Sequence, residues 1–263
     1  MEVGSLFEDV AGIILRLNCI FEVIVVGNWV TETLPQRLET LGLDSNERLG
    51  GMIHSLSLAK GETLCPSSLG IGLALLRKGT LMRQVGFHDG TLASTELLFS
   101  GHFIFPRGVN REVENNVTHR ALEKSELEWL GLETLYRLCR QQDGFLEFYL
   151  QKKNRYSRTV EDHLLLRSIL SKKEHLIFTL CMIFSARLRR DERVIPITLD
   201  ELCTMTGTTR QYCTKVVAEL CERQILINHY GSLELVDYGA LKGQMGSEAR
   251  RHYDLIRAKP QSS

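Results

Sequence analysis

The chain has 263 residues, 43% hydrophobic and 24% charged, enough for one large domain or two modest ones. Its 32 Lys and Arg balance its 32 Asp and Glu, which excludes a uniformly cationic nucleic-acid coat; an anionic partner has to be met by a local patch. A mean hydropathy of −0.09 and five prolines argue against a membrane protein and against long disorder.

Residues 10–30 form an apolar stretch interrupted by Arg16, Asn18 and Glu22 and preceded by the acidic Glu2, Glu8 and Asp9. Intramembrane charge is costly and a leader peptide starts basic, so this stretch is expected to pack on the body of the protein. The seven cysteines (Cys19, Cys65, Cys139, Cys181, Cys203, Cys213, Cys221) are scattered, with no C-x-x-C pair and no histidine at zinc-finger spacing. They read as reduced thiols of a cytoplasmic protein, and no metal or cofactor is expected.

From His54 to Phe105 the pattern is β. His54–Leu58 alternates strictly, and Gly79, Gly90 and Gly101 separate the apolar runs Leu73–Leu76, Leu81–Val85 and Leu97–Phe99. Corners about 11 residues apart suit a meander or small roll, with Val117–Ala121 as a closing strand. After residue 124 the pattern turns helical. Ser125-Glu-Leu-Glu128 has the form of a capping box and predicts a helix through Leu127, Leu130, Leu132, Leu135 and Leu138. A long helix is predicted over 144–169, with Phe145, Tyr149, Tyr156, Val160 and Leu164 at spacings of four and seven. It suits either a dimer seam or packing within the subunit. A second box, Ser171-Lys-Lys-Glu174, opens an apolar helix that ends in the cationic cluster Arg187, Arg189 and Arg190.

A third box, Thr198-Leu-Asp-Glu201, opens a short helix stopped by Gly207. Thr208-Thr-Arg-Gln211 then has the form of a further cap, starting a helix to about Gln224. Leu202, the small Cys203, Gly207 in the turn and the inward Cys213 and Val216 have helix-turn-helix spacing. Ile225–Val236 reads as two short strands around Tyr230-Gly231, a wing.

The stretch Ile197–Leu220 and Ile225-Leu-Ile227 resembles the DNA-binding end of the CRP/FNR superfamily of bacterial transcription regulators, and the order roll, long helix, winged helix resembles it too. The likeness spans residues 50–240 and is most specific in the C-terminal third; the short roll with Phe103-Ile-Phe105 looks most like the IprA-like branch. The fold class it implies is α+β: an N-terminal extension (1–48), a cyclic-nucleotide-binding-like β-roll (49–140), a dimerisation helix (141–170), a winged helix-turn-helix (171–242) and a basic tail (243–263). The implied partners are a pseudo-palindromic double-stranded operator, a second copy of the chain and RNA polymerase, with no membrane.

In the family the recognition helix opens with small polar phosphate-holding residues, then presents an Arg and a Glu to base edges and a basic residue one turn on. The matching positions are Thr208 and Thr209, Arg210, Gln211 and Lys215. Helix N-terminal amides and threonine hydroxyls suit phosphate oxygens, and Arg210 can bridge guanine O6 and N7. Gln211 departs from the family Glu and either reads adenine or only closes the cap with Thr208. His229 and Ser232 on the wing are candidate phosphate contacts. Positive charge is expected at Arg187–Arg193, at Arg210 and Lys215, and in the tail. The family's Gly-Glu-x-Ala turn and Arg-Ser/Thr pair, which hold a cyclic nucleotide, are replaced by Gly101–Gly108 with Arg107 as the one cation, so cyclic-nucleotide binding is not expected. The expected function is an operator-binding regulator that is effector-independent or answers another signal. The alternative is a stress- or redox-sensing adaptor that docks a protein. No nucleophile motif, phosphate loop or paired-carboxylate motif marks an enzyme.

Overall fold

The computed structural model describes Leu34, Gln36, residues 52–105 and residues 116–257. Strands β1 (Ile53–Leu58), β8 (Ser125–Gly131), β3 (Ile71–Lys78) and β6 (Phe103–Ile104) lie side by side in one antiparallel sheet. Strands β2 (Thr63–Leu64), β7 (Val117–Ala121), β4 (Thr80–Gly86) and β5 (Leu92–Phe99) form the other. The predicted strand runs all fall in these strands, and Gly79, Gly90 and Gly101 take positive φ in the turns between them. Gly79 has a second constraint: a Cβ there would run into Ser125.

Ala74 and Leu76 of β3 meet Leu81, Leu98, Ala121 and Leu127 between the sheets. Leu73 and Leu75 point the other way, to Leu135, Leu138 and Phe145. Burial on both faces accounts for the unbroken apolar run of that strand. Leu34 belongs to the same outer cluster, and its N–H donates to Glu128 Oε2 at 2.6 Å.

The helix predicted from Ser125 is contradicted. Ser125–Gly131 is strand β8, paired on both sides by β1 and β3, so its amides are committed to the sheet and cannot be capped. The Ser125 hydroxyl donates to the Glu123 carbonyl instead. Helix begins only after Gly131, as α1 (Leu132–Gln141), breaks at the extended Gln142, and resumes as the 27-residue α2 (Asp143–Ile169).

Helix α3 (Lys172–Leu188) starts at the predicted box, in which the Glu174 N–H donates to Ser171 Oγ and the Ser171 N–H to Glu174 Oε2. It is buried on most sides, because one core joins Met82, Leu97, Phe99 and Leu122 of the roll to α3 and to everything that follows it. Of the basic cluster at its end, expected to give the winged helix positive charge, Arg187 and Arg190 turn inward, while Arg189 and Arg193 are exposed. Arg187 Nη1 donates to Thr80 Oγ1 at 2.8 Å and to Glu123 Oε1 at 2.7 Å. Its Nε lies 2.7 Å from Glu192 Oε2, off the line of a hydrogen bond. Arg190 donates to the Ser100 carbonyl and lies over the Phe99 ring. These cations clamp the roll to the C-terminal half.

The C-terminal half continues with β9 (Val194–Ile195), α4 (Leu199–Thr206), α5 (Arg210–Glu222) and the hairpin β10 (Leu226–His229) and β11 (Ser232–Leu235), with β11 paired to β9. After α6 (Tyr238–Gly243), the stretch expected as a basic tail is helical as α7 (Ser247–Arg257). Ala249 and Tyr253 of α7 are buried, Tyr253 edge-on to Phe178, while Arg250 and Arg251 face outward. An apolar pair spaced by four residues was enough to dock this helix; the arginines beside it hid that pattern in the composition. No helix among the described residues is long and apolar enough to cross a membrane; residues 10–30 lie outside them.

Candidate nucleic-acid interface

Helix α4 is held at its start by the predicted box, Thr198 Oγ1 accepting from the Glu201 N–H and Glu201 Oε2 from the Thr198 N–H. It stops at Gly207, which is left-handed at φ 63°; a Cβ there would strike the Arg167 guanidinium of α2. Buried Cys203 and Cys213 face each other where α4 and α5 cross, and burial pushes both thiols up. Small side chains are what this close crossing requires.

The cap of α5 is Thr209, whose Oγ1 accepts from the Tyr212 N–H at 3.3 Å. The predicted cap by Thr208 with Gln211 does not form. After the left-handed Gly207, the Thr208 hydroxyl turns back to Thr206 Oγ1 at 2.9 Å. Gln211 is thereby released from capping. Cys213, Val216, Val217 and Leu220 form the buried face of α5, while Thr209, Arg210, Gln211, Thr214, Lys215 and Ala218 are exposed. Spacings of three and four residues make that exposed set one stripe along the first turns of the helix. Arg210 Nε lies 3.2 Å from Asp200 Oδ1 of α4.

The two wing residues sit apart from this stripe, on the hairpin whose β10 packs along α5. His229 Nε2 is 2.7 Å from Glu234 Oε2, so an acidic neighbour already occupies it; Ser232, its cross-strand partner, is half-buried. Tyr230, at the tip, is fully exposed. The sequence marked it only as a turn residue, although an aromatic side chain beside a hairpin glycine has no core to enter.

The roll contacts the back of this unit. Arg120 of β7 pairs with Glu201, and α4 packs on β5. The stripe on α5 stays open. Inside the roll lies a buried polar group that the sequence did not reveal. Arg83 Nη1 is 3.7 Å from Glu96 Oε2, the Tyr156 hydroxyl of α2 donates to the same Glu96 oxygen at 3.1 Å, and His119 is enclosed beside Arg83. Burial pushes the Glu96 carboxyl up despite Arg83, and burial with Arg83 pushes His119 down to about 3. Arg107 and the rest of the expected effector turn from residue 106 lie outside the described residues, as does Cys19.

No family model matches the chain, and no curated protein matches it in sequence. Solved structures match its fold. A CRP/FNR-family transcriptional regulator from Eubacterium rectale aligns with TM-score 0.57 at 14% identity, covering 86% of this chain and 100% of that one. FixK2 from Bradyrhizobium japonicum aligns with TM-score 0.58 at 13% identity, over 74% of this chain and 98% of that one. A CRP-family transcriptional regulator from Thermus thermophilus aligns with TM-score 0.56 at 17% identity, over 73% and 97%. At these identities the likeness establishes the fold: a β-roll, a long helix and a winged helix-turn-helix in the order of CRP/FNR regulators.

Proposed function

We propose that this chain is a sequence-specific DNA-binding transcription regulator that acts as a homodimer on a pseudo-palindromic operator. The observation that carries this reading is the open stripe Thr209, Arg210, Gln211 and Lys215 on the second helix of a helix-turn-helix within a CRP/FNR-like fold. A helix of this kind enters the major groove with its first residues against base edges. Arg210 bridges guanine O6 and N7, Gln211 pairs with adenine N6 and N7, and Lys215 and the Thr209 hydroxyl take phosphates. Thr208, His229 and Ser232 hold flanking phosphates; for His229 this means exchanging Glu234 for the duplex. The regulator works without an effector or answers one other than a cyclic nucleotide, and RNA polymerase is its further partner.

Selection from randomised duplexes tests the reading. Wild-type protein should enrich a two-fold-related site, and Arg210→Ala should lose about 1–3 kcal/mol on that site, in competition at fixed salt. No enrichment, or unchanged affinity for the variant, would overturn it.

The homodimer rests on α2, where Leu146, Leu150, Leu165 and Ile169 are all exposed. Burying one such aliphatic side chain contributes roughly 1.5–3 kcal/mol, and four of them left in water on one helix support a seam there. Leu150→Glu with Leu165→Glu should weaken self-association at least about 10-fold in sedimentation equilibrium, with matching loss of operator affinity. A variant as dimeric as the wild type would remove α2 from the seam.

A further inference from the structure

We infer that Asp200 is a specificity-determining positioning residue, which aims the Arg210 guanidinium at a base edge through their contact across the helix-turn-helix. The inference rests on the operator-binding reading and deepens it. Asp200 lies in the first turn of α4 and Arg210 at the start of α5, and the left-handed Gly207 between them brings Oδ1 to 3.2 Å from Nε, an ion pair off the line of a hydrogen bond. Both side chains are largely in water, 61% and 75% exposed. An ion pair so placed contributes little to stability, so holding the fold together does not account for it. Its consequence is directional. An arginine on a helix start has many rotamers, and a carboxylate on Nε selects those in which the two terminal nitrogens point away from the protein. Those two nitrogens make the fork that guanine O6 and N7 require. Among the described residues, Asp200 is the one ion-pair partner of the Arg210 guanidinium.

Asp200 has a second effect at the same place. Its carboxylate repels phosphate, so a duplex gains at this point only when Arg210 finds its base, which penalises non-specific docking. The neighbouring Glu201 is tied to Arg120 and to the α4 cap, which leaves Asp200 as the carboxylate on Arg210.

The test is duplex selection and competition with wild type, Asp200→Ala, Asp200→Ser, Arg210→Ala and the Asp200→Ala/Arg210→Ala double variant. In both Asp200 variants, discrimination should fall roughly 3- to 30-fold at the one base position that Arg210→Ala erases, with the other positions kept. Affinity for random duplex should hold or rise, and in the Arg210→Ala background Asp200→Ala should add nothing. A helix-stabilising role alone would lower thermal stability and leave the base preference untouched. Unchanged discrimination, or loss spread evenly over all positions, overturns the inference while operator binding stands. Absence of any preferred duplex for the wild type overturns operator binding itself, and this inference with it.

Discussion

Lowering the pH from 7.5 to 5 is expected to cost the folded state about 2 kcal/mol through His119 alone. The imidazole is 4% exposed, and burial together with the Arg83 cation holds its pKa at about 3, against 6.5 for a free histidine. Its Nδ1 is enclosed with no hydrogen-bond partner. Between pH 6.5 and 3 the unfolded chain therefore carries a proton that the folded chain refuses, and stability falls as pH drops through that window. Above 6.5 both states are neutral and the contribution is complete. His252, which burial also pushes down, acts in the same direction but is present in wild type and variant alike. Urea unfolding at pH 7.5 and at pH 5 measures the loss, and His119→Gln should remove most of the difference. Equal pH sensitivity in the two proteins would show that His119 takes up its proton in place. The carboxylate clamp adds its own loss at lower pH. Burial alone would raise the Glu123 carboxyl, but hydrogen bonds from Thr80 and Arg187 hold it below the usual range. Its stabilising contribution is present above the ordinary glutamate value and disappears as pH falls through the lowered one.

Arg187→Ala is expected to destabilise the protein by about 2–4 kcal/mol. The arginine is 7% exposed and serves Thr80, Glu123 and Glu192 from the end of α3. Removing it leaves two carboxylates facing each other across a hole. Both keep over a third of their side-chain surface in water, at 35% and 40%, which holds the cost below that of a fully buried pair. Arg187→Met separates the two causes, since it keeps the apolar stem and removes only the charge. Because Thr80 and Glu123 belong to the roll and Glu192 to the C-terminal half, the loss should also loosen one from the other. Intrinsic fluorescence and circular dichroism should then report separate midpoints where the wild type gives one. A loss under about 0.5 kcal/mol with coincident transitions would show that the apolar core between the halves suffices without the clamp.

The parts of this molecule that could be read in advance are those whose cause lies within a few residues. The boxes at Ser171 and Thr198 formed because each closes across three residues, and Gly207 stopped α4 because its own backbone takes the left-handed turn, a local preference that needs no distant partner. The wing at Tyr230-Gly231 followed from a turn dipeptide between two apolar runs. The same kind of signal misled at Ser125, where two neighbouring strands claimed the amides that a cap would have needed. It missed by one residue at Thr208, whose hydroxyl found Thr206.

Residue order alone set the local chemistry: which short segments start, stop and turn, and which polar residues open the exposed helix. Long-range packing settled that Arg187 and Arg190 would clamp the halves together, that His119, Arg83, Glu96 and Tyr156 would share one buried site, and that Asp200 would lie on Arg210. Arg187 and Thr80 stand 107 residues apart in the chain, and Tyr156 and Glu96 stand 60 apart. No spacing rule spans such distances, because a charge's partner is chosen by where packed sheets and helices bring it, after the apolar core has set their positions.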